Sequence, residues 1–167
     1  MHRPFRIRPA TASDIANVRT LFRAYASALG VDLSYQGFEQ EIANLPGAYA
    51  PPAGILLLAR ATNDGEAVGC VAVRPFAEAA TCEMKRLYTS PAARGAGLGR
   101  ALAEAAIAAA TRAGYRAMRL DTLPTMTTAQ SLYRLLGFEL TPPYYATPVD
   151  GTIFMRKTLI QPRTSPE

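Results

Sequence analysis

The sequence predicts an α/β domain built on a central mixed β-sheet with helices on both faces. Three observations lead there. Early apolar strands are joined by a hairpin turn, a later unit runs strand–helix–strand, and 167 residues are enough for one domain. Hydrophobic residues make up 49% of the chain and charged residues 19%, a globular balance and not a disordered one.

Phe5-Arg6-Ile7-Arg8 alternates at the period of a strand. Thr11 to Asp14 starts a helix, with Thr11 or Ser13 as N-cap and Asp14 in the first turn. Ile15, Val18, Leu21, Phe22, Tyr25 and Leu29 then recur at helical spacing, and Gly30 follows as a stop. A short second helix is predicted over 38–45, ended by Pro46-Gly47, and 50–54 is a loop. The apolar run over 55–61, the turn Asn63-Asp64-Gly65 and the run over 67–73 read as a hairpin, with a further strand over 81–89. A long helix over 97–113 stops at Gly114. A strand over 117–123 follows, then a helix over 127–136 closed by Gly137, and a last strand over 152–159. Residues 1–160 therefore read as one domain and 161–167 as a frayed tail, with no internal repeat and no dividing linker.

Composition excludes several function classes. No apolar run approaches the roughly 18 residues needed to cross a bilayer; the best candidate, 101–110, is interrupted by Glu104. The basic start over 1–6 lacks the apolar core of a secretory signal, so a cytoplasmic location is expected. Cys70 and Cys82 are too few for a disulfide framework or a four-ligand zinc site and are expected as small buried residues in neighbouring strands. His2 is the sole histidine and lies at a terminus, so neither histidine catalysis, a Ser-His-Asp arrangement nor a metal site is expected. The net charge is +5, nearly all of it arginine, because Lys85 and Lys157 are the only lysines. A basic balance permits anionic ligands. The cations are spread along the chain without aromatic interleaving, so nucleic acid is not expected as a partner. Abundant alanine and arginine point to a GC-rich coding genome, and a bacterial source is expected.

The segment that carries chemistry is Leu87-Tyr88-Thr89-Ser90-Pro91-Ala92-Ala93-Arg94-Gly95-Ala96-Gly97-Leu98-Gly99-Arg100. A strand runs into a loop, and the loop opens a long helix. Gly95, Gly97 and Gly99 let backbone N–H groups approach an oxyanion, and the positive end of the helix favours a phosphate there. Arg94 and Arg100 flank the loop and can add charge-assisted bonds. The spacing is neither the dinucleotide fingerprint nor a P-loop. The reading is a pyrophosphate cradle.

The pattern Arg-x-x-Gly-x-Gly at Arg94, Gly97 and Gly99 resembles the coenzyme A signature of the GNAT N-acetyltransferase superfamily. Cys82-Glu83-Met84-Lys85-Arg86-Leu87-Tyr88-Thr89 is similar to the family's central strand. Ala129-Gln130-Ser131-Leu132-Tyr133-Arg134-Leu135-Leu136-Gly137-Phe138 is similar to its second signature. Both stand in the family's order, and the element order matches roughly from Phe5 to Leu159.

The resemblance implies a GNAT fold and acetyl-CoA as co-substrate. The two central strands would splay, and the pantetheine arm would pair with backbone groups of Leu87 and Thr89 beside Tyr88, in the manner of an added strand. The amides of Gly95, Ala96, Gly97, Leu98, Gly99 and Arg100 would hold the pyrophosphate. Tyr133 stands at the family's tyrosine acid and would protonate the departing thiolate. Glu83 stands where a general base often serves, directly or through water; strand alternation predicts Glu83, Lys85, Leu87 and Thr89 on one face. The pantetheine-binding asparagine of the family falls at Met126, which cannot replace its hydrogen bonds; Thr125, Thr127 or Thr128 would have to do so. The acceptor site is expected among Phe22, Tyr25, Arg74, Tyr144 and Tyr145, with Tyr35, Phe38 and Tyr49 nearby. An aromatic, mildly cationic pocket of this kind suits a small-molecule or peptide amine carrying a carboxylate or a ring. The resemblance also implies dimerisation through late strands, and 152–159 is apolar enough to pair. Two alternatives stand beside the N-acetyltransferase reading. One is a non-catalytic coenzyme A-binding module, which has no chemical reason to keep both Tyr133 and Glu83. The other is an acyltransferase using a longer acyl group or a hydroxyl acceptor.

Overall fold

A computed structural model of the chain describes residues 4–160; His2 and the predicted tail over 161–167 lie outside the described residues. Seven strands form one sheet: β1 (Phe5–Pro9), β2 (Ile55–Ala61), β3 (Ala67–Pro75), β4 (Thr81–Thr89), β5 (Ala117–Thr122), β6 (Glu139–Leu140) and β7 (Ile153–Thr158). Their spatial order is β1-β2-β3-β4-β5-β7-β6. Neighbours are antiparallel except β4 and β5, which run parallel because a helix joins them. Helices α1 (Ile15–Leu29) and α2 (Phe38–Ala43) cover one face; α3 (Leu98–Arg112) and α4 (Thr127–Leu135) cover the other.

Sequence periodicity decides which face each residue serves. On α1, Val18, Leu21 and Phe22 are buried against Leu56, Leu58, Cys70 and Ala72 of β2 and β3. On the other face Val71, Val73 and Met84 meet Leu102, Ala103 and Ala106 of α3. The alanines let α3 approach closely, and the sheet responds with Gly69, where a Cβ would sit 2.9 Å from Leu102 Cδ1. Cys70 and Cys82 are free and buried on opposite faces of adjacent strands, as expected. Strand β7 is flanked on both sides, by β5 and by the two-residue β6, so the expected dimerising strand has part of its outer edge already paired.

One expectation fails in β4. Lys85 pairs with Ala72 and Tyr88 with Cys70, so Arg86 and Leu87 together oppose Val71. This is a β-bulge, and Arg86 adopts φ +62° to make it. The alternation is reset there. Glu83 and Lys85 stay on the face of α1 and α2, whereas Leu87 packs into the α3 cluster and Thr89 lies beside Gly99. The four residues predicted on one face are thus divided between two, because the extra residue reverses every side chain after it. Arg86 itself is 3% exposed. It forms a two-pronged ion pair with Glu41 of α2 (3.0 and 3.2 Å) and lies over the rings of Tyr25 and Phe38. The bulge is therefore bound to α1 and α2.

Candidate active site

The parallel pairing of β4 with β5 covers only Thr81, Cys82 and Glu83 against Ala117, Met118 and Arg119. Beyond that point both strands continue without pairing to each other, leaving unpaired β4 backbone beside a gap. A groove of about 710 Å³ leads from this gap to the start of α3. All the predicted cradle residues from Leu87 to Arg100 except Ala96 line it, and Thr125, Met126, Thr127 and Thr128 form its opposite wall.

The cradle fits an anionic group. Gly95 and Gly97 have φ of +82° and +75°, which other residues adopt only with strain. Gly99 has no such φ, and a Cβ there would meet only Thr89 Cγ2, at 3.9 Å. The missing side chain at Gly99 is therefore not required by the fold and opens space at the helix start. Ala101 N–H is the first in α3 to find a carbonyl, that of Gly97, so the N–H groups of Leu98, Gly99 and Arg100 lack helix partners. Arg94 is exposed on the loop. Arg100 is bound to Glu104 across 2.8 Å in an exposed pair that an arriving anion can displace at small cost.

At the inner end of the groove, Tyr25, Leu87 and Met126 also wall a small cavity of about 30 Å³. Room of that size admits about two water-sized groups. Lys85, Arg86, Asp121, Thr122, Gln36 and Tyr133 complete its lining. Gln36 Oε1 and Thr122 Oγ1 are buried there without a hydrogen-bond partner. Tyr133 comes from α4, is 6% exposed and stands edge-on to Phe138 at 5.8 Å. Its hydroxyl has no hydrogen bond among the described residues. Burial, reinforced by the neighbouring Tyr25 and Asp121, pushes its pKa well above the ordinary phenol value, so it holds its proton at neutral pH.

Glu83 is almost wholly buried and its carboxylate is fully engaged. Arg74 Nε and Nη2 both lie 2.8 Å from Oε1, and Tyr144 donates to Oε2 across 2.7 Å. Tyr145 donates to Asp121 Oδ2 across 2.6 Å. Lys85 lies between the two carboxylates, 3.8 Å from Glu83 Oε2 and 3.8 Å from Asp121 Oδ1. Burial pulls the Lys85 pKa down, against the pull of both carboxylates. Of the predicted acceptor residues, Arg74, Tyr144 and Tyr145 thus converge on the acids. Tyr25, its pKa pushed up to about 12 mainly by burial, stands where groove and cavity meet. Phe22, expected at the acceptor site, is instead fully buried against Tyr49 in the α1 core and lines neither space. Asp121 and Gln36, not expected from the sequence, also line the cavity. Asp121 alternates with the buried Met118, Leu120 and Thr122 of β5, as Arg119 does, so its charge stands among polar strand positions that nothing local marks as a site. Among the described residues no group of His, Cys, Asp and Glu is arranged to hold a metal, and no helix is long and apolar enough to cross a membrane.

Parallel strands that separate beside an anion cradle are the arrangement of coenzyme A-dependent N-acetyltransferases, and comparison with known proteins agrees. The acetyltransferase (GNAT) family model matches residues 17–138, and the chain belongs to that family. It is 43% identical over 143 residues to an uncharacterised N-acetyltransferase of Schizosaccharomyces pombe, covering 86% of this chain and 87% of the relative. An IAA acetyltransferase of Azospirillum brasilense is 37% identical over 100 residues, 59% of this chain and 65% of the relative. The fold is shared with a GNAT-family acetyltransferase of Staphylococcus aureus (TM-score 0.77, 17% identity, 94% of this chain and 100% of that one). It is shared also with a phosphinothricin acetyltransferase of Sinorhizobium meliloti solved with acetyl-CoA (TM-score 0.70, 23% identity, 93% and 88% coverage).

Proposed function

We propose that the protein transfers the acetyl group of acetyl-CoA to a primary amine of a small molecule or peptide. The observation that carries the reading is the meeting of the groove with the cavity at Tyr25, Leu87 and Met126. It supports a role for Tyr133, which lines that cavity, at the end of an anion-anchored ligand. Acetyl-CoA supplies an activated thioester. The N–H groups of Leu98, Gly99 and Arg100 hold the pyrophosphate, and Arg94 adds charge. Unpaired backbone of Leu87 and Thr89 holds the pantetheine, and Thr125, Thr127 or Thr128 supplies the hydrogen bond that Met126 cannot. Tyr133 gives its proton to the sulfur that leaves. Glu83, bound by Arg74 and Tyr144, supplies a fixed negative charge behind Lys85. A homodimer would use the β6 edge, where Leu140 and the neighbouring Leu135 are exposed.

The test is thiol release from acetyl-CoA over a library of primary amines, repeated with butanoyl-CoA. Release that depends on an amine and on the acetyl donor supports the reading. Binding of acetyl-CoA with no release for any amine overturns it in favour of a binding module. A sedimentation run at micromolar protein that gives the monomer mass alone overturns the dimer.

A further inference from the structure

We propose that Asp121 is a catalytic residue: its Oδ1 takes the proton of the attacking amine, while Glu83 positions Lys85 and does not touch the acceptor. This rests on the amine reading above. The two acids differ in what they present to the cavity. Asp121 lines it and Glu83 does not. Glu83 has both oxygens occupied, by two nitrogens of Arg74 and by the Tyr144 hydroxyl. Asp121 has one oxygen occupied: Tyr145 donates to Oδ2 across 2.6 Å and so orients the carboxylate, and the nearest cation to Oδ1 is Lys85 Nζ, 3.8 Å away, beyond hydrogen-bond distance. A carboxylate with one oxygen fixed and the other open can accept a proton without first breaking a bond.

Position supports the same assignment. Asp121 stands on β5 just past the last residue paired to β4, so it borders the gap from the side opposite Lys85. Tyr133 borders the same cavity. The amine arrives as an ammonium and passes one proton to Asp121 Oδ1, and the electron pair so freed bonds to the thioester carbonyl carbon. The C–S pair departs on sulfur, and sulfur takes the Tyr133 proton. The nitrogen, now bonded to the acetyl carbon, sheds its second proton, which restores Tyr133, and Asp121 releases the first to solvent, so charge and protons balance. The unpartnered Thr122 Oγ1 and Gln36 Oε1 offer the amine two further oxygens. The titratable and charged groups that face Asp121 are Lys85, Glu83 and Arg86 from β4, Tyr25 from α1, Tyr133 from α4, and Tyr144 and Tyr145 from the segment before β7.

The experiment measures acetylation of ethylamine, benzylamine and glycinamide from acetyl-CoA between pH 6 and 10, for wild type, Asp121→Asn, Asp121→Glu and Glu83→Gln. Acetyl-CoA affinity by calorimetry and thermal melting are followed in parallel. Asp121→Asn is expected to bind acetyl-CoA as wild type does and to lose about 100-fold or more in kcat/KM at pH 7. That loss shrinks as pH approaches each amine's own pKa, about 10 for an alkylamine such as ethylamine and about 8 for the α-amino group of glycinamide, where the amine arrives already neutral. Asp121→Glu recovers part of it. Glu83→Gln loses less and keeps the wild-type pH slope. If Asp121→Asn stays within threefold of wild type, or if Glu83→Gln is the variant whose pH slope changes, the assignment is overturned and the amine reading stands. A wild type that binds acetyl-CoA and acetylates neither these three amines nor any amine of the library overturns the amine reading and this assignment with it.

Discussion

Tyr144 donates its hydroxyl to Glu83 Oε2 across 2.7 Å, which binds the irregular segment before β7 to the middle of the sheet. The neighbouring contacts follow the same plan: Tyr144 and Tyr145 both stack edge-on against Phe154, and Tyr144 also against Phe76. Residues expected to bind an acceptor therefore carry structural load. A hydrogen bond to a charged group contributes about 1.5–3 kcal/mol, so Tyr144→Phe should lower unfolding free energy by about that amount. Urea unfolding of the variant checks this, with a fall in midpoint and an unchanged slope as the expected result.

Buried tyrosines also predict the alkaline behaviour. Burial raises the pKa of Tyr49, Tyr133 and Tyr144 above the ordinary phenol value of 10.0, and the neighbouring acids add to it. Above pH 10 the unfolded chain releases these protons and the folded chain keeps them. Stability is therefore fully present below pH 10 and is lost as pH rises beyond it. Each such group contributes a slope of about 1.4 kcal/mol per pH unit. Tyrosinate absorbance near 295 nm should accordingly show a late fraction that appears together with loss of the helical signal. A single smooth titration ahead of unfolding would contradict the burial of these three rings.

Most elements were legible because each has its own local signal. The apolar spacing from Ile15 to Leu29 and the stop at Gly30 give α1, and the turn at Asn63-Asp64-Gly65 gives the hairpin. The loop that opens α3 was legible for the same reason, since Gly95 and Gly97 carry their positive φ in the residue type. Three features were not. The bulge at Arg86 depends on how β4 meets β3, and nothing in the run Met84-Lys85-Arg86-Leu87 marks an extra residue. Phe22 shares the helix with Tyr25, and only packing against Tyr49 makes the one core and leaves the other beside the site. The pairing of Tyr144 with Glu83 spans 61 residues, beyond the reach of any local pattern.

The glycines of the cradle should separate by function. Gly97→Ala forces a side chain into φ +75° and should cost about 1–2 kcal/mol before any ligand is considered. Gly99→Ala enters a helix without strain or clash and should stabilise the free protein by up to about 1 kcal/mol. Gly99→Glu should leave the fold intact and abolish measurable acetyl-CoA binding, because it adds bulk and negative charge where the pyrophosphate would lie. Calorimetry on the two Gly99 variants, with melting curves for all three, checks each expectation. Unchanged affinity in a folded Gly99→Glu protein would remove the cradle.

Tyr133→Phe isolates the proposed proton donor. The ring keeps its edge contact with Phe138, and the hydroxyl that is lost has no hydrogen bond among the described residues, so stability should change by less than about 1 kcal/mol. Acetyl-CoA affinity should also hold, since the cradle and the strand backbone are untouched. Turnover should fall about 10- to 100-fold. That is near or below the lower end of what a general acid contributes, because a coenzyme A thiolate leaves readily and water can protonate it late. The pH dependence fixes the sign. The raised pKa keeps Tyr133 protonated through the working range, so the wild-type rate should show no fall from loss of this proton below pH 10. Single-turnover measurements, which exclude product release, are the check. A Tyr133→Phe protein with full single-turnover rate would assign the ring to packing alone and leave the sulfur to be protonated by water.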